Sequence, residues 1–501
     1  MRDHLKISIT RQRASRFALP ADARRPLALA ALALVSLAGE LAIWPLMPVG
    51  MADILSPIAL VVVALAGPYM LACWLLVRMP APSATRWRRA EWGVLIGGTL
   101  LFRAALFPLV PVLSRDAYRY AWDALLTAHG FSPYLHAPNW PGFAALRDAF
   151  YPHVPWKTVP TIYPPGAQLL YRVAYLFAPK NVWAIKAEMV AFDLLAGLLL
   201  ALLLRRHGQD MRRAFLYLWA PLPVVEYSLN GHVDAVAIAL TLLILLVNEA
   251  SFRGARAVMG GLLGFAALVK LYPLVFVVAL LRRRDWALLL ALAATLFIGY
   301  LPFWDEGLAA SGFLGSYLRA SDPNYGGVAL LVRALAAPLG QSVVQALSAL
   351  GAAAAVGLII WLRVRPATTS RAPSLSSIQA TYALVAVWLI FGPHVFAWYV
   401  PALLPFCALY LARPARRVAS ACAVGILAFC CLIPLSYVAF EVPRWAWLYP
   451  ALYPACLALA LGVWLWRRRQ LHTRPHAQPA VEPSAPTASP NPDDVLPLRI
   501  S

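Results

Sequence analysis

The sequence predicts an all-α polytopic membrane protein with about twelve to fourteen transmembrane helices, and three observations lead to this fold class. Hydrophobic residues make up 61% of the 501 residues and charged residues 13%, with a mean hydropathy of +0.68. Apolar runs of about twenty residues, the length that crosses a bilayer as a helix, recur along the chain. Short arginine clusters separate these runs, as in the cytoplasmic loops of membrane proteins. Membrane orientation thus explains the net charge of +21, and we predict no nucleic-acid partner.

The apolar runs divide the chain into a basic start, a membrane domain and a polar tail. Residues 1–25 are rich in arginine and are expected in the cytoplasm. Residues 26–466 form the predicted membrane domain, and residues 467–501, rich in Pro, Ala and Ser, are expected to be a disordered cytoplasmic tail. The predicted spans are 26–48, 54–78, 91–113, 182–204, 211–229, 232–249, 286–303, 343–362, 378–395, 396–412, 416–439 and 445–466.

Two polar segments are expected outside the membrane. The loop between the second and third spans is rich in arginine, like the N-terminus, so we expect both on the cytoplasmic side. The third span then leads residues 114–166 to the outer face. Residues 304–342 form a second predicted outer loop. We therefore expect a multi-pass protein of the inner (plasma) membrane whose first outer loop faces the periplasm or another extracytoplasmic space.

Two apolar segments do not fit a simple span. Residues 163–178 are short and interrupted, and we expect a helix that lies on or dips into the outer surface. Residues 257–281 have arginines at both ends. For this segment we expect two short helices hinged near Lys270 and Pro273.

Polar residues of the first outer loop share one face if the segment is helical. Asp116, Arg119, Tyr120 and Asp123 follow the spacing i, i+3, i+4 and i+7, and Gly130 is expected to end the helix. A carboxylate just outside a span can act as a general base for an acceptor hydroxyl. Arg119 can equally well pair with the carboxylates of its own helix. The spacing alone leaves both interpretations open.

A second polar group lies at the predicted outer tip between two spans, where the sequence reads Asn230-Gly231-His232-Val233-Asp234. Asn, His and Asp together at such a tip are unusual and would fit a functional site. Polar residues also cap helix ends for purely structural reasons. Both interpretations stay open here as well.

Lys270 lies within an apolar segment, next to Tyr272 and Pro273. An ionisable side chain at such a depth is costly unless it is paired, which makes it a functional candidate. A lipid phosphate would be a fitting partner. The structural alternative is that the side chain reaches to a membrane surface.

A third outer junction carries His394 together with Trp398 and Tyr399. An imidazole beside stacked aromatic rings suits sugar or phosphate binding. Trp and Tyr also form the ordinary aromatic belt at membrane surfaces. His394 is the residue that favours a binding site.

Several kinds of chemistry have no signature in this sequence. The six cysteines fall in apolar runs without CxxC spacing, which argues against a disulfide or metal framework. We find no Walker loop, no HExxH and no GxGxxG after a strand. We predict no metal and no cofactor, and an activated substrate that arrives on a lipid.

The motifs taken together resemble C-type glycosyltransferases. The runs Asp116-x-Tyr118-x-Tyr120-x-Trp122-Asp123, Gly130-x-x-Pro133-Tyr134 and Tyr163-Pro164-Pro165 are similar to their first outer loop. The pattern is most similar to glycosyltransferase family 87, the polyprenyl-phosphate-mannose-dependent mannosyltransferases. The runs Asn230-Gly231-His232-x-Asp234, Lys270-x-Tyr272-Pro273 and His394-x-x-x-Trp398-Tyr399 fit the same family, so the resemblance covers about residues 90–440. Two features depart from it: two spans precede the one that feeds the loop, and Ala124 stands where Gly is expected.

The resemblance implies a C-type fold and an inverting transfer of a hexose, mannose first of all, from a polyprenyl-phosphate donor to a lipid or glycan acceptor at the outer face. Asp116 matches the catalytic base of the family. His232, Asp234 and His394 would line the sugar pocket, and Lys270 or Arg119 would hold the lipid phosphate. The predicted substrate-binding residues are Arg119, Tyr120, Asp123, Tyr163, Asn230, His232, Asp234, Lys270, Tyr272, His394, Trp398 and Tyr399.

Two alternatives stay open at this point. A flippase or transporter of lipid-linked sugars would line a path through the membrane midplane with charged residues, whereas the polar residues here gather at the outer ends of spans. A glycan polymerase or ligase would use outer arginines and histidines. The second outer loop offers only Arg319 and Arg333 for that role.

Overall fold

The described residues of the computed structural model, 20–47, 55–312, 315, 324–364, 375–411 and 417–472, are helical with connecting turns and contain no strand. The all-α polytopic fold class is thereby confirmed. The α-helices of seven or more residues are α1 Ala21–Leu41, α2 Leu55–Ala64, α3 Ala66–Arg78, α4 Thr85–Leu106, α5 Asp116–Ala128, α6 Pro165–Phe177, α7 Val182–Arg206, α8 Asp234–Asn248, α9 Ala255–Val269, α10 Trp286–Tyr300, α11 Gly327–Ala336, α12 Gln341–Val364, α13 Ser377–Phe391, α14 Leu404–Tyr410, α15 Arg417–Leu432, α16 Leu435–Glu441 and α17 Leu448–His472.

Segments of 3₁₀-helix, one π-helix and α-helices of three or four residues join these helices. They are Trp44–Leu46, Pro141–Leu146, Tyr151–His153, Met211–Ala214, Phe215–Leu218, Pro221–Pro223, Val224–Leu229, Tyr272–Phe276, Val277–Leu280, Leu301–Ser311, Ala337–Leu339, Ala397–Leu403 and Pro443–Trp445. Val224–Leu229 is a π-helix, a rare conformation that is often found at functional sites.

The structure has fewer long apolar helices than the twelve to fourteen spans predicted. Within the described ranges, six helices are long and apolar enough to cross a membrane, and the bent pair α15 and α16 would make a seventh. Several predicted spans are instead shorter apolar helices, because prolines, glycines and polar turns interrupt them. The run predicted as a span at 211–229 is an example, since it consists of four short helical segments.

Helix α8, which follows the polar turn 230–234, is enclosed by its neighbours. This helix packs against α7 and α9, and α9 packs in turn against α10. Most side chains of α8 are buried. Its all-round apolar surface is the pattern of a helix enclosed by other helices. The polar residues that precede α8 are therefore held at the centre of the bundle.

Buried ion pairs tie the first helices to this centre. Arg103 of α4 contacts Asp193 of α7 at 2.6 Å, and both side chains are almost completely buried. Arg25 of α1 contacts Glu91 of α4 at 3.1 Å. Removing one partner of a buried pair commonly costs about 3–5 kcal/mol, because it leaves the other charge unpaired. These pairs fix α1, α4 and α7 relative to one another.

Three local predictions of helices and turns agree with the structure. Asp116–Ala128 is helical, and Gly130 follows with a positive φ of 77°. The segment predicted as a surface helix forms α6. Near the predicted hinge, α9 ends at Val269 and Lys270 has an extended backbone.

The predicted disorder of the tail is wrong for residues 467–472, because α17 continues to His472. The remaining tail, 473–501, and residues 1–19 lie outside the described residues. The predicted second outer loop, 304–342, holds the end of Leu301–Ser311 and all of α11. Its residues 313–314 and 316–323, which include Arg319, lie outside the described part of the chain.

We predict that a cysteine at Thr158 reacts with a membrane-impermeant maleimide from outside intact cells, whereas one at Arg283 reacts only after the membrane is opened. Both positions are exposed, and the arginine asymmetry of the sequence predicts that they lie on opposite sides of the membrane. A Cys422→Ala background suits the experiment, because Cys422 is the exposed native cysteine and the other five are buried. Labelling of Arg283→Cys from outside would invert the orientation.

Candidate functional site

A cavity of about 610 Å³ lies between the first outer loop, the segment just before α14 and helix α16. Its volume is in the range of small-molecule sites. The residues that line it are Leu55, Leu113, Ser114, Arg115, Asp116, Arg119, Pro155, Trp156, Val159, Pro160, Thr161, Ile162, Tyr163, Phe396, Ala397, Trp398, Tyr399, Ser436, Tyr437 and Phe440. Five predicted site residues are among them: Asp116, Arg119, Tyr163, Trp398 and Tyr399.

Asp116 is half-buried at the first position of α5 and presents its carboxylate to the cavity. The hydroxyl of Tyr163 donates to Asp116 Oδ2 at 3.0 Å, and the hydroxyl of Tyr120 donates to Tyr163 at 3.2 Å. Burial raises the pKa of Tyr163 well above its ordinary value, and the nearby Asp116 carboxylate adds to this. Tyr163 therefore stays protonated and acts as a donor. Among the described residues Asp116 Oδ1 has no hydrogen-bond partner, which leaves it available to a substrate.

Arg119 and Asp123 form an ion pair one helical turn apart, at 2.8 Å between Nε and Oδ1. Asp123 is completely buried, and its other oxygen accepts a hydrogen bond from Gln168 at 3.4 Å. The interpretation that Arg119 pairs with a carboxylate of its own helix thus agrees with the structure for Asp123. The two acidic residues of α5 have different environments: one faces the cavity and the other is enclosed.

The guanidinium of Arg119 also holds the far side of the loop. Its Nη1 donates to the carbonyl oxygens of Trp156 at 2.9 Å and Val159 at 3.1 Å. Trp156 has a positive φ of 52°, a backbone conformation that costs a bulky residue on the order of 1–3 kcal/mol. Such a conformation persists where surrounding contacts impose it. Arg119 supplies those contacts, and within the described chain its Nη2 makes no hydrogen bond.

A completely buried carboxylate, Glu226, lies in the π-helix Val224–Leu229 behind the cavity. Tyr437 donates its hydroxyl to Oε1 at 2.8 Å, and the Asn230 amide donates to Oε2 at 2.9 Å. The Nδ1 atom of His232 lies 3.0 Å from Oε2. Asn230 also accepts from the backbone N–H of Leu113 at 3.3 Å. Glu226 thereby links the polar turn before α8 to a cavity-lining tyrosine and to the loop before Asp116.

Gly231 is required by both its conformation and its neighbours. Its φ is 74°, and a Cβ there would lie 3.0 Å from Lys186 Cγ and 3.3 Å from Ala117 Cβ. Lys186 is fully buried and donates to the carbonyl oxygens of Phe107 and Leu109, at 2.6 and 2.5 Å. The polar turn therefore packs directly on the lysine that holds the chain just after α4.

His232 supports the aromatic wall of the cavity from behind. Its ring stacks on Trp398 with centroids 4.1 Å apart, and Trp398 stacks on Phe396 at 4.5 Å. Trp398 and Phe396 line the cavity, whereas His232 is not one of the lining residues. The imidazole thus fixes the position of an aromatic surface.

Lys270 and Asp234 form a second polar pair beside this wall. Lys270 Nζ lies 2.9 Å from Asp234 Oδ1 and 4.3 Å from the centre of the Tyr399 ring. Tyr272 stacks on Trp388 with centroids 4.4 Å apart. Lys270, Asp234 and Tyr272 lie behind the lining residues, so Tyr399 is the contact between this pair and the cavity.

The predicted residues thus fall into two layers. Asp116, Arg119, Tyr163, Trp398 and Tyr399 line the cavity, and the others support it from behind, with the exception of His394. His394 is buried in the turn between α13 and Ala397–Leu403 and is absent from the lining. Backbone groups close to His394 form hydrogen bonds with residues outside the cavity lining. The Gly392 carbonyl accepts from the Gly326 N–H at 2.9 Å, and the Val395 N–H donates to the Asn324 carbonyl at 2.7 Å.

Three further residues at or next to the cavity were not singled out from the sequence: Trp156, Glu226 and Tyr437. Glu226 carried a usable signal, because it is an acidic residue inside an otherwise apolar run and lies four residues before Asn230. Trp156 and Tyr437 carried none, since aromatic residues are common near membrane surfaces. Over the described ranges, no group of three or more His, Cys, Asp and Glu could hold a metal ion.

Comparison with known proteins yields one family. The family model of glycosyltransferase family 87 matches residues 161–393. The match covers Tyr163, Asn230, His232, Asp234, Lys270 and Tyr272. Asp116, Arg119, Tyr120 and Asp123 precede it, and His394, Trp398 and Tyr399 follow it. No curated protein and no solved structure shows a significant match to the chain.

The different environments of the two acidic residues of α5 lead to a prediction about stability. Asp123→Asn should lower the free energy of unfolding by about 3–5 kcal/mol, because Arg119 is left buried without its counter-charge. Asp116→Asn should leave it nearly unchanged. Thermal unfolding of both purified variants in the same detergent measures this. Equal melting temperatures for the two variants would contradict the assignment of Asp123 as a structural residue.

Proposed function

Because the chain belongs to glycosyltransferase family 87, we propose that it transfers a hexose, mannose first of all, from a polyprenyl-phosphate donor to a lipid or glycan acceptor at the outer face of the inner membrane. One observation carries the proposal. A single cavity brings together the Asp116 carboxylate, the cationic Arg119 and a wall of aromatic rings. These are the groups that such a transfer needs: a base, a partner for phosphate and a surface for a sugar.

Asp116 is the proposed general base. In an inverting transfer the acceptor oxygen attacks the anomeric carbon, the bond to the donor phosphate breaks, and a base accepts the hydroxyl proton. Asp116 Oδ2 is engaged by Tyr163 at 3.0 Å, so the carboxylate is oriented while Oδ1 can receive the proton. Asp123 is a poorer candidate, because it is buried and paired with Arg119.

The donor phosphate needs cations, because it gains negative charge as the sugar leaves. A fixed cation in a poorly solvated cavity stabilises that gain more than it stabilises the starting diester. Arg119 lines the cavity and has Nη2 available among the described residues. Lys270 is the second candidate. It already faces Asp234 at 2.9 Å, so a phosphate would share the lysine with that carboxylate.

The sugar would lie against the wall formed by Trp398 and Tyr399. Aromatic faces suit the apolar C–H faces of a pyranose, and polar groups behind them fix their position. His232 stacks on Trp398 at 4.1 Å, and Lys270 lies over Tyr399 at 4.3 Å. On this basis His232 and Asp234 act by holding the wall. His394 keeps its proposed role in sugar binding on the resemblance alone.

The lipid part of the donor would occupy the helix side of the cavity. Leu55 at the start of α2 and Phe440 of α16 line this side. Both helices belong to segments that are apolar enough to cross the membrane, α16 as part of the bent pair. A polyprenyl chain can therefore reach the site without leaving an apolar environment.

Asp116→Asn should reduce transfer by about 10²–10⁴-fold, because it removes the base while keeping size and hydrogen bonding. The matched control is Asp148→Asn in the same outer loop. Asp148 is exposed, pairs with Lys180 at 2.7 Å and is not part of the cavity lining. The measurement is transfer from radiolabelled polyprenyl-phosphate mannose and, separately, polyprenyl-phosphate glucose, in membranes with and without the protein. Undiminished transfer by Asp116→Asn would refute the role of this residue, and equal use of both donors would refute the preference for mannose.

Variants of Lys270 and Asp234 test which cation holds the donor phosphate. The double variant Lys270→Met with Asp234→Asn removes both charges of the pair, so neither is left buried alone. If Lys270 holds the donor phosphate, the KM for the donor should rise roughly 10- to 100-fold. The Lys270→Arg variant should keep only part of the native affinity for the donor, because a guanidinium differs in shape from an ammonium. An unchanged donor KM in the double variant would leave Arg119 as the phosphate partner.

A further inference from the structure

Trp156 is an exposed aromatic residue at the edge of the cavity that no role has yet explained. Its side chain is 62% exposed, and the residue lines the cavity beside Pro155 and Val159. A large aromatic surface left open to solvent beside a binding cavity is available to a ligand. Its positive φ shows that the chain holds this residue in a conformation it would not adopt by itself.

The position of Trp156 is imposed by buried contacts. Arg119 donates to its carbonyl oxygen at 2.9 Å, and Arg119 is itself fixed by the buried Asp123. The next residue, Lys157, accepts a hydrogen bond from the Asn139 N–H at 3.0 Å. These contacts hold the backbone at Trp156 and leave its indole uncovered. A ligand that binds there does not have to order the backbone, which lowers the cost of binding.

The two sides of the cavity differ in a way that identifies the ligand. The helix side, with Leu55 and Phe440, belongs to apolar helices and suits the lipid of the donor. The loop side, from Pro155 to Ile162, belongs to the outer polar segment. A substrate that approaches from the loop side reaches the same cavity that Asp116 lines. This is the direction left for the acceptor once the donor lipid occupies the helix side.

We infer that Trp156 is a stacking subsite for a sugar ring of the acceptor, an inference that rests on the proposed transferase function. One face of a pyranose presents C–H groups with slight positive charge, and the face of an indole carries negative charge density. A ring that stacks on Trp156 places its hydroxyl groups in the cavity with Asp116. The acceptor is then a saccharide or a molecule that carries one. An indole that serves only as an anchor at the membrane surface would have no such preference.

The inference is tested by binding, without any transfer. The full-length protein is placed in phospholipid nanodiscs that contain no glycolipid or sugar detergent, and methyl α-mannopyranoside and α-mannobiose are titrated with saturation-transfer NMR as the readout. Both sugars should bind the native protein, and Trp156→Ala should lower the affinity for each sugar about two- to tenfold. Trp156→Phe should recover most of the affinity. Trp156→Leu, which keeps apolar bulk without an aromatic face, should behave like the alanine variant.

The matched control is Trp140→Ala. Trp140 is 37% exposed in the same outer loop, but it stacks on His136 and lies outside the cavity lining. Its loss should leave sugar affinity unchanged. A non-transferable phosphonate analogue of the polyprenyl-phosphate sugar, added at saturation, should not displace the sugars if they occupy the acceptor side.

Three results would overturn the inference: no binding to the native protein, equal binding to Trp156→Ala, or displacement of the sugars by the donor analogue. The last would make Trp156 part of the donor site. The transfer measurements on Asp116→Asn do not depend on Trp156. A failed subsite and a failed transferase proposal therefore give different results.

Discussion

The carboxylate of Glu226 is completely buried, and a charge in that position is stable only when polar groups surround it. The hydroxyl of Tyr437 comes from α16, and the Asn230 amide and the His232 imidazole come from the turn before α8. Asn230 extends the network to Leu113. The elements that form the cavity thus meet at one buried charge. The positions of Tyr437 and of the ring that stacks on His232 follow from satisfying it.

Local parts of this arrangement could be predicted from the sequence. The spacing of Asp116, Arg119 and Asp123 predicts a helix with these residues on one face, because helical neighbours are fixed by the 3.6-residue repeat. The structure has that helix and the Arg119–Asp123 pair. The sequence could not decide which carboxylate is open to a substrate. That depends on Trp156 and Val159, whose carbonyl oxygens receive Arg119 from a distant part of the loop.

The contacts between distant parts of the chain could not be predicted from the sequence, for the same reason. Glu226 and Tyr437 are 211 residues apart in the chain, and no periodicity links them. The π-helix Val224–Leu229 lies in a run that hydropathy alone predicts as a plain span. Hydropathy also overestimates the number of long helices, because it measures apolar composition and does not register breaks at proline or polar turns. Such breaks are tolerated at membrane depth only where protein encloses them, as at Lys270 beside Asp234.

Ion pairing also separates the acidic residues of the site by chemical role. Asp123 is paired with Arg119 and Asp234 with Lys270, each with a partner within 3 Å. Either carboxylate would have to give up this ion pair to contact a substrate hydroxyl. The hydrogen bond to Asp116 comes from a neutral tyrosine hydroxyl, at 3.0 Å. Protonation there breaks no ion pair within the described residues. Of these three acidic residues, the one that faces the cavity is therefore the one whose described partner is a neutral hydroxyl and not a cation, which suits the role of general base proposed for it.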